Sequence, residues 1–355
     1  MSSIPKKVVR FDLWIDPVFD ERLLSEPSLD LHIGSAAGPV EKGWALLAGA
    51  HVFHVSPAKD ELPRWLLVNA ELLARCPNLL CVSSGGAGYD TTDVAACTKA
   101  GVAVMNQAGG NADSVAEFTL GLMIDVSRRV SESDRRLRRE RGFSREDVMG
   151  RELRGKTVGL VGIGHIGRRV ARLARAFGMN VIATDPYLTA EEIQRRGAQP
   201  ASLDKVLRLS DIVSLHCPRD KSTLKLMDAA AFAAMKRGAL FISTARGGIH
   251  DEAALSDALQ SGHLAGASLD VWDQEPPPLD HSLLGMDNVV ATFHTAGVSH
   301  EGRRNVASIA AEQIVAAMKG GRPPRLVNPE VWPAYAARFE RIFGFAVQQE
   351  QSTFE

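Results

Sequence analysis

The chain has 355 residues, 45% of them hydrophobic and 23% charged, which is long enough for two cores and excludes a disordered or fibrous chain. A formal net charge of −1 leaves no global attraction for nucleic acid or an anionic membrane, so any charged ligand must be held by local groups. No apolar run approaches the roughly 18 residues that a membrane span needs, and residues 1–7 lack a signal-peptide core, so a cytoplasmic location is expected.

In chain order, short apolar runs at 8–13, 44–47 leading into 51–55, 79–82 and 102–105 alternate with helical patterns. They read as a small α/β unit with parallel strands. A long apolar-periodic helix follows over 111–126, with Asp113 or Ser114 as its N-cap candidate. The arginine run at 135–141 is diluted by Glu132, Asp134, Glu140 and Glu146 and reads as a solvated face or an oligomer arm. Cys76, Cys81, Cys97 and Cys217 form no paired or histidine-flanked motif, so neither a metal nor a disulfide is expected.

Residues 158–167 read Val-Gly-Leu-Val-Gly-Ile-Gly-His-Ile-Gly and lead into a helical pattern, which predicts a strand, a tight turn and a helix start. Gly162 permits the turn, Gly164 lets a pyrophosphate approach the backbone, and Gly167 lets the helix pack close to the strand. The helix N-terminus offers N–H groups and positive dipole to phosphates. The next apolar run ends in Asp185, roughly twenty residues on, where a carboxylate can accept ribose hydroxyls. That carboxylate would repel a 2′-phosphate, and Pro186 and Tyr187 bring no arginine to offset it, so NAD is expected rather than NADP. Strands near 157–161, 180–184, 211–215, 239–243, 266–269 and 289–293 complete a doubly wound parallel sheet. A helix is expected over 301–319, and the remaining residues are too few to fold alone.

Hydride chemistry needs a proton donor and a cation for the substrate, so histidine and arginine at strand ends are the candidates. Arg246, Glu275 and His294 each follow an apolar run, where loops of an open α/β sheet border the ligand crevice. His294 opens onto Thr295, Ala296 and Gly297.

These segments, with the glycine motif, resemble the D-isomer-specific 2-hydroxyacid dehydrogenases in order and spacing. Residues 84–90 look like the family's substrate loop, 114–117 like a crossing-helix start, and His216, Cys217 and Pro218 like a cofactor-contacting turn. The resemblance implies two Rossmann-like domains, with a discontinuous substrate domain at 1–112 and 320–355 around an NAD-binding domain at 113–319. It implies that His294 exchanges a proton with the carbonyl oxygen of a small 2-oxo acid, that Glu275 orients the ring, and that Arg246 grips the carboxylate. The backbone of Gly86, Ala87 and Gly88 would bind the same carboxylate. Asp270 would hold the nicotinamide carboxamide, Thr244 and Ala245 would line its pocket, and His165 and Ile166 would contact the pyrophosphate. A homodimer is implied as well.

Phe293 stands where the family usually carries proline, and 51–56 lacks the arginine of its phosphoglycerate-using branch, which argues against a phosphorylated substrate. His51 and His54 flank the strand that faces substrate in that family. The remaining histidines read as structural. The alternative is an NAD(H)-sensing corepressor-like protein of the same fold.

Overall fold

The computed structural model describes residues 5–348. These divide into two units, one running to Asn111 and resuming at Ser299, the other spanning Ala112–Val298.

The first unit is built on a five-stranded parallel sheet: β1 (Lys6–Phe11), β2 (Leu29–Gly34), β3 (Val52–Val55), β4 (Cys81–Ser84) and β5 (Ala103–Met105), in the order β2-β1-β3-β4-β5. Alternation along the strands fills two layers. Val8, Val52 and Cys81 face one core, and Val9, Phe53 and Val82 face the other. β2 was not expected from its sequence, because it is an edge strand whose residues are only partly buried or exposed. The run at 44–47 belongs to the helix Val40–Leu47.

The second unit holds seven parallel strands: β6 (Thr157–Val161), β7 (Asn180–Thr184), β8 (Gln199–Pro200), β9 (Ile212–Leu215), β10 (Leu240–Ser243), β11 (Gly266–Leu269) and β12 (Val289–Ala291). Their order is β12-β11-β10-β9-β6-β7-β8. The order reverses between β6 and β9, which opens a crevice at their carboxyl ends. Helices Ala112–Arg128 and Gly167–Ala176 cover one face over Leu160, Ile212 and Ile242. Helices Leu203–Leu209, Ala229–Ala234 and Glu252–Gln260 cover the other over Val213, Phe241 and Leu269. Ser202, Asp228 and Asp251 cap these three helices by accepting a backbone N–H three residues on. β8 escaped sequence reading because it has two residues, one a proline, which an edge position tolerates.

Two sequence expectations are corrected. The unit boundary expected at 319/320 lies at 298/299, because the helix His300–Met318 buries Ala307, Ala310, Ala311 and Ile314 with Val8, Phe19, Leu80 and Met105 of the first unit. Its amphipathic pattern marked it as a helix but carried no sign of which sheet it covers. The helix expected from 111 begins at Ala112, so Asp113 lies in its first turn rather than capping it, at the end of the helix that favours a carboxylate. The segment after 319 packs with the first unit: Tyr335 and Phe339 of the helix Trp332–Phe343 are fully buried, and the Tyr335 hydroxyl donates to Ala317 O at 3.0 Å. Residues 1–4 and 349–355 of the expected substrate domain lie outside the described residues. No helix among the described residues is long and apolar enough to cross a membrane.

Candidate active site

The turn after β6 is built by what its glycines lack. Gly162 has φ +91°, and a Cβ there would stand 2.8 Å from Cys217 N and His216 C. A Cβ on Gly167 would stand 2.3 Å from Gly162 O, so the helix can start this close to the strand only at glycine. A Cβ on Gly164 would meet nothing within 4 Å, which leaves open space where a pyrophosphate would approach. Asp185, at the end of β7, accepts from Ile163 N at 3.0 Å and Tyr187 N at 3.1 Å, so its carboxylate lies against the glycine turn. The open space above Gly164, the helix N-terminus and the adjacent carboxylate fit a dinucleotide. Sequence reading missed Arg196, whose Nη1 donates to Ile163 O at 2.8 Å. It comes from another element, so the residues after Asp185 gave no hint of it.

His165 is exposed, and its carbonyl accepts from Arg169 at 2.9 Å, while Ile166 stands at the helix N-cap. On the facing side of the turn, the His216 ring is part-buried and shares a 3.0 Å hydrogen bond with Ser214 Oγ. Burial pushes its pKa down to about 3, which makes it a neutral wall. Burial likewise pushes the Cys217 thiol up to about 11, and the Pro218 carbonyl is taken by Thr223 Oγ1 at 2.7 Å. Thr244 and Ala245, both buried, close the end of β10. Thr244 Oγ1 lies 3.0 Å from Thr119 Oγ1 on the helix Ala112–Arg128, a link that sequence reading did not find.

His294, Glu275 and Arg246 come together in this unit. His294 Nδ1 lies 2.8 Å from Glu275 Oε2, with the two side chains 38% and 22% exposed. Glu275 Oε1 accepts from Trp272 N at 3.1 Å, so one oxygen is anchored to backbone and the other holds the ring. Burial alone would push the Glu275 carboxyl up. The His294 hydrogen bond and charge, the Trp272 N–H and the Arg246 charge outweigh it and hold the group below the usual carboxylate range. His294 has φ +48°, a left-handed conformation that is strained for a non-glycine residue.

Asp270 supplies what over-determines that conformation. Its carboxylate is fully buried and accepts from Thr292 Oγ1 at 2.7 Å, Thr295 N at 2.8 Å and Ala296 N at 2.9 Å, while its own carbonyl accepts from His294 N at 2.7 Å. Asp270 therefore ties down both flanks of His294, a role not anticipated from sequence, and its carboxylate retains capacity for one more donor. Gly297 follows in the same loop, and Phe293 is half exposed. Arg246 is part-buried, and its Nη1 donates to Ala245 O at 2.7 Å. Gly247 lets this loop cross the next one, because a Cβ there would stand 1.9 Å from Trp272 O.

In the first unit, the loop after β4 is held from behind. Gln107 N donates to Gly86 O at 2.8 Å, Asn106 Nδ2 to Ala87 O at 2.8 Å and Ser84 Oγ to Gly88 O at 2.5 Å. Among the described residues no acceptor takes the N–H groups of Gly86, Ala87 and Gly88, which suits an anion. His54 lies beneath, 3.2 Å from Ser83 Oγ and against the Phe19 ring, and burial pushes its pKa down to about 3. His51 is structural: its Nδ1 accepts from Lys7 N at 2.9 Å.

Residues 120–296 match the family model described as D-isomer specific 2-hydroxyacid dehydrogenase, NAD binding domain. The D-3-phosphoglycerate dehydrogenase of Archaeoglobus fulgidus is 40% identical over 268 residues, 75% of this chain and 51% of the relative. The glyoxylate reductase of Korarchaeum cryptofilum is 38% identical over 267 residues, 74% of this chain and 80% of the relative. The chain thus spans about half the length of the first relative and four-fifths of the second. The D-lactate dehydrogenase of Aquifex aeolicus, solved with NAD and lactic acid, superposes with a TM-score of 0.77 at 27% identity, covering 90% of this chain and 98% of that one.

Proposed function

Because the chain belongs to the D-isomer-specific 2-hydroxyacid dehydrogenase family and its cofactor is NAD, we propose that it interconverts a small, unphosphorylated 2-oxo acid and its D-2-hydroxy acid. The observation that carries this reading is the 2.8 Å pair of His294 and Glu275, anchored by Trp272 N and felt by Arg246. Bound cofactor supplies or accepts the hydride at C2 of the substrate. Glu275 holds Nδ1, so Nε2 of His294 is the atom that gives a proton to the carbonyl oxygen in reduction and takes it back in oxidation. The Glu275 carboxylate stabilises the imidazolium that precedes proton transfer and fixes the ring's orientation. Arg246 pairs with the substrate carboxylate and offsets charge growing on the carbonyl oxygen.

Gly162, Gly164, His165, Ile166 and Gly167 would hold the pyrophosphate, and Asp185 the adenosine ribose. Cys217, Pro218, Thr244, Ala245 and Gly297 would line the rest of the cofactor site. The remaining lone-pair capacity of Asp270 suits the nicotinamide carboxamide, so this residue would both hold the cofactor and set the His294 loop. The free N–H groups of Gly86, Ala87 and Gly88 suit a carboxylate. Glyoxylate and hydroxypyruvate are the substrates to try first, because the relative of which this chain covers more is named a glyoxylate reductase and 51–56 offers no arginine for a phosphate. A cytoplasmic homodimer is part of the proposal, checked by light scattering. The corepressor-like reading is not favoured, since the matched relatives are named as dehydrogenases and reductases.

The test is NADH oxidation followed by absorbance against glyoxylate, hydroxypyruvate, pyruvate, phenylpyruvate and 2-oxoglutarate, beside a His294→Ala control. Turnover that disappears in the control supports the reading. NADH binding with no turnover of any of the five acids would remove its substrate class.

A further inference from the structure

The helix Gly167–Ala176 carries arginine at 168, 169, 172 and 175 and no acidic residue. Arg168, Arg172 and Arg175 recur at helical spacing and are exposed, so three guanidinium groups share one stripe. Arg195 and Arg196, at the end of the helix Ala190–Arg195, border the same groove, which has a volume of about 860 Å³. Its one acidic lining residue is Asp113, so six cations face one anion for a net charge of +5.

Helix stability does not explain the pattern. Arg168 and Arg169 occupy the first turn, where the helix dipole is already positive, and Arg168 and Arg172 are a like-charge pair four residues apart. Internal pairing does not explain it either. Arg169 Nε meets Asp113 Oδ1 at 2.7 Å, and Arg172 reaches the same oxygen only at 3.8 Å. Arg168 approaches His165 Nδ1 at 3.5 Å, and Arg196 is on Ile163 O. Among the described residues no carboxylate lies within 4 Å of Arg175 or Arg195, and Glu191 feels Arg195 only at longer range. Gly197, with φ +92°, leaves room for the Arg175 guanidinium, which stands 3.4 Å from where a Cβ would be.

We propose that this groove binds a polyphosphate anion, a chain of two or more oxygen-bridged phosphoryl groups. Guanidinium forks match phosphate oxygens two at a time, and the seven-residue step from Arg168 to Arg175 rises about 10 Å along the helix, a row along which several linked phosphoryl groups can be met in series. The lining residues include no aromatic ring on which a base could stack, so the phosphates are the recognised part. The site is distinct from the glycine turn: it uses arginine side chains on the outer helix face, not the backbone N–H groups of its start. It does not depend on which acid the protein turns over.

The test is calorimetric titration of tripolyphosphate into protein saturated with NADH, so that the glycine turn stays filled. One saturable site is expected, weakened about ten-fold or more in Arg172→Gln/Arg175→Gln and in Arg195→Gln, with NADH affinity unchanged in both. The Arg195 variant lies off the motif helix, so a folding defect in the double variant cannot imitate the result. ATP serves as the second titrant: affinity equal to that of tripolyphosphate supports recognition of the phosphate chain alone, and tighter binding supports a nucleotide as its source. Absence of saturable binding, or equal affinity in parent and both variants, would overturn the proposal. So would equal displacement by sulfate at matched ionic strength.

Discussion

Each unit presents a glycine-rich turn at the carboxyl end of a strand, after β4 in one and after β6 in the other, and the two are held by different means. After β6 the constraint is steric: Gly162 and Gly167 stand where any Cβ would collide with backbone. After β4 the turn is held by partners behind it. Asn106, Gln107 and Ser84 take its carbonyls, and Gln107 is braced in turn by Gln313 at 2.8 Å, 206 residues away in sequence. A turn specified by missing atoms leaves its signature in consecutive residues. One specified by distant partners leaves it scattered along the chain.

The comparison breaks most sharply at His294 and Glu275, the pair proposed for proton transfer, which lies in the second unit. His294→Ala is expected to lower kcat by about 10²–10⁴-fold with the NADH dissociation constant unchanged. Single-turnover hydride transfer and NADH fluorescence titration read the two separately. Retained kcat would show that His294 is not the proton carrier.

Steric and partner-held turns also differ in what one methyl group does. Gly167→Ala drives a Cβ to 2.3 Å from Gly162 O and is expected to cost about 3 kcal/mol or more. Gly86→Ala brings a Cβ to 3.0 Å from Pro57 Cγ and no closer than 3.7 Å to the other atoms it meets, and is expected to cost about 1 kcal/mol. Hydrogen exchange of β6 and β9 amides against β3 and β4 amides assigns each loss to its own unit. Equal losses would erase the distinction.

The same contrast explains what was legible in sequence. The glycine motif, Asp185, Arg246, Glu275 and His294 all lie at strand ends within one regular α/β rhythm, so period and position sufficed to find them. Asp270 was found but its partners were not, because the Thr292, Thr295 and Ala296 donors become neighbours only when β11 and β12 pair. Arg196 reaches the glycine turn from the end of another helix, and Thr119 reaches Thr244 from 125 residues away. The helix His300–Met318 is legible as a helix but not as part of the first unit, since an apolar stripe states that a face is buried without stating against what.

Acid separates the units by their buried histidines. His250 is fully buried in the second unit beside Phe241, neither ring nitrogen has a hydrogen-bond partner among the described residues, and burial pushes its pKa from 6.5 down to about 4. Above pH 6.5 both folded and unfolded chains keep the ring neutral. As pH falls from 6.5 toward 4 the unfolded chain takes up a proton that the folded ring refuses, so stability is lost across that window and levels off below it. His250→Leu is expected to stabilise the second unit by up to about 3 kcal/mol more at pH 4 than at pH 8. The first unit, with His54, keeps its own acid sensitivity. Denaturation at the two pH values with hydrogen exchange as the probe checks this, and an equal change at both pH values would rule out titration as the cause.

The smallest expected effect tests the partner-held turn most directly. Asn106 is itself part-buried, and its Nδ2 donates to Ala87 O at 2.8 Å, so it helps aim the N–H groups of Gly86, Ala87 and Gly88. Asn106→Ala removes one neutral hydrogen bond worth about 1 kcal/mol, which corresponds to a rise in KM for the 2-oxo acid of roughly five-fold. Uniform loss of carboxylate binding leaves kcat nearly unchanged, because ground state and transition state share that contact equally. Steady-state kinetics with the preferred acid, together with an unaltered NADH dissociation constant, distinguish this outcome from general unfolding. If kcat falls as much as kcat/KM while KM holds, the turn after β4 acts on the reacting carbonyl instead of the carboxylate, and the assignment of the three N–H groups must move with it.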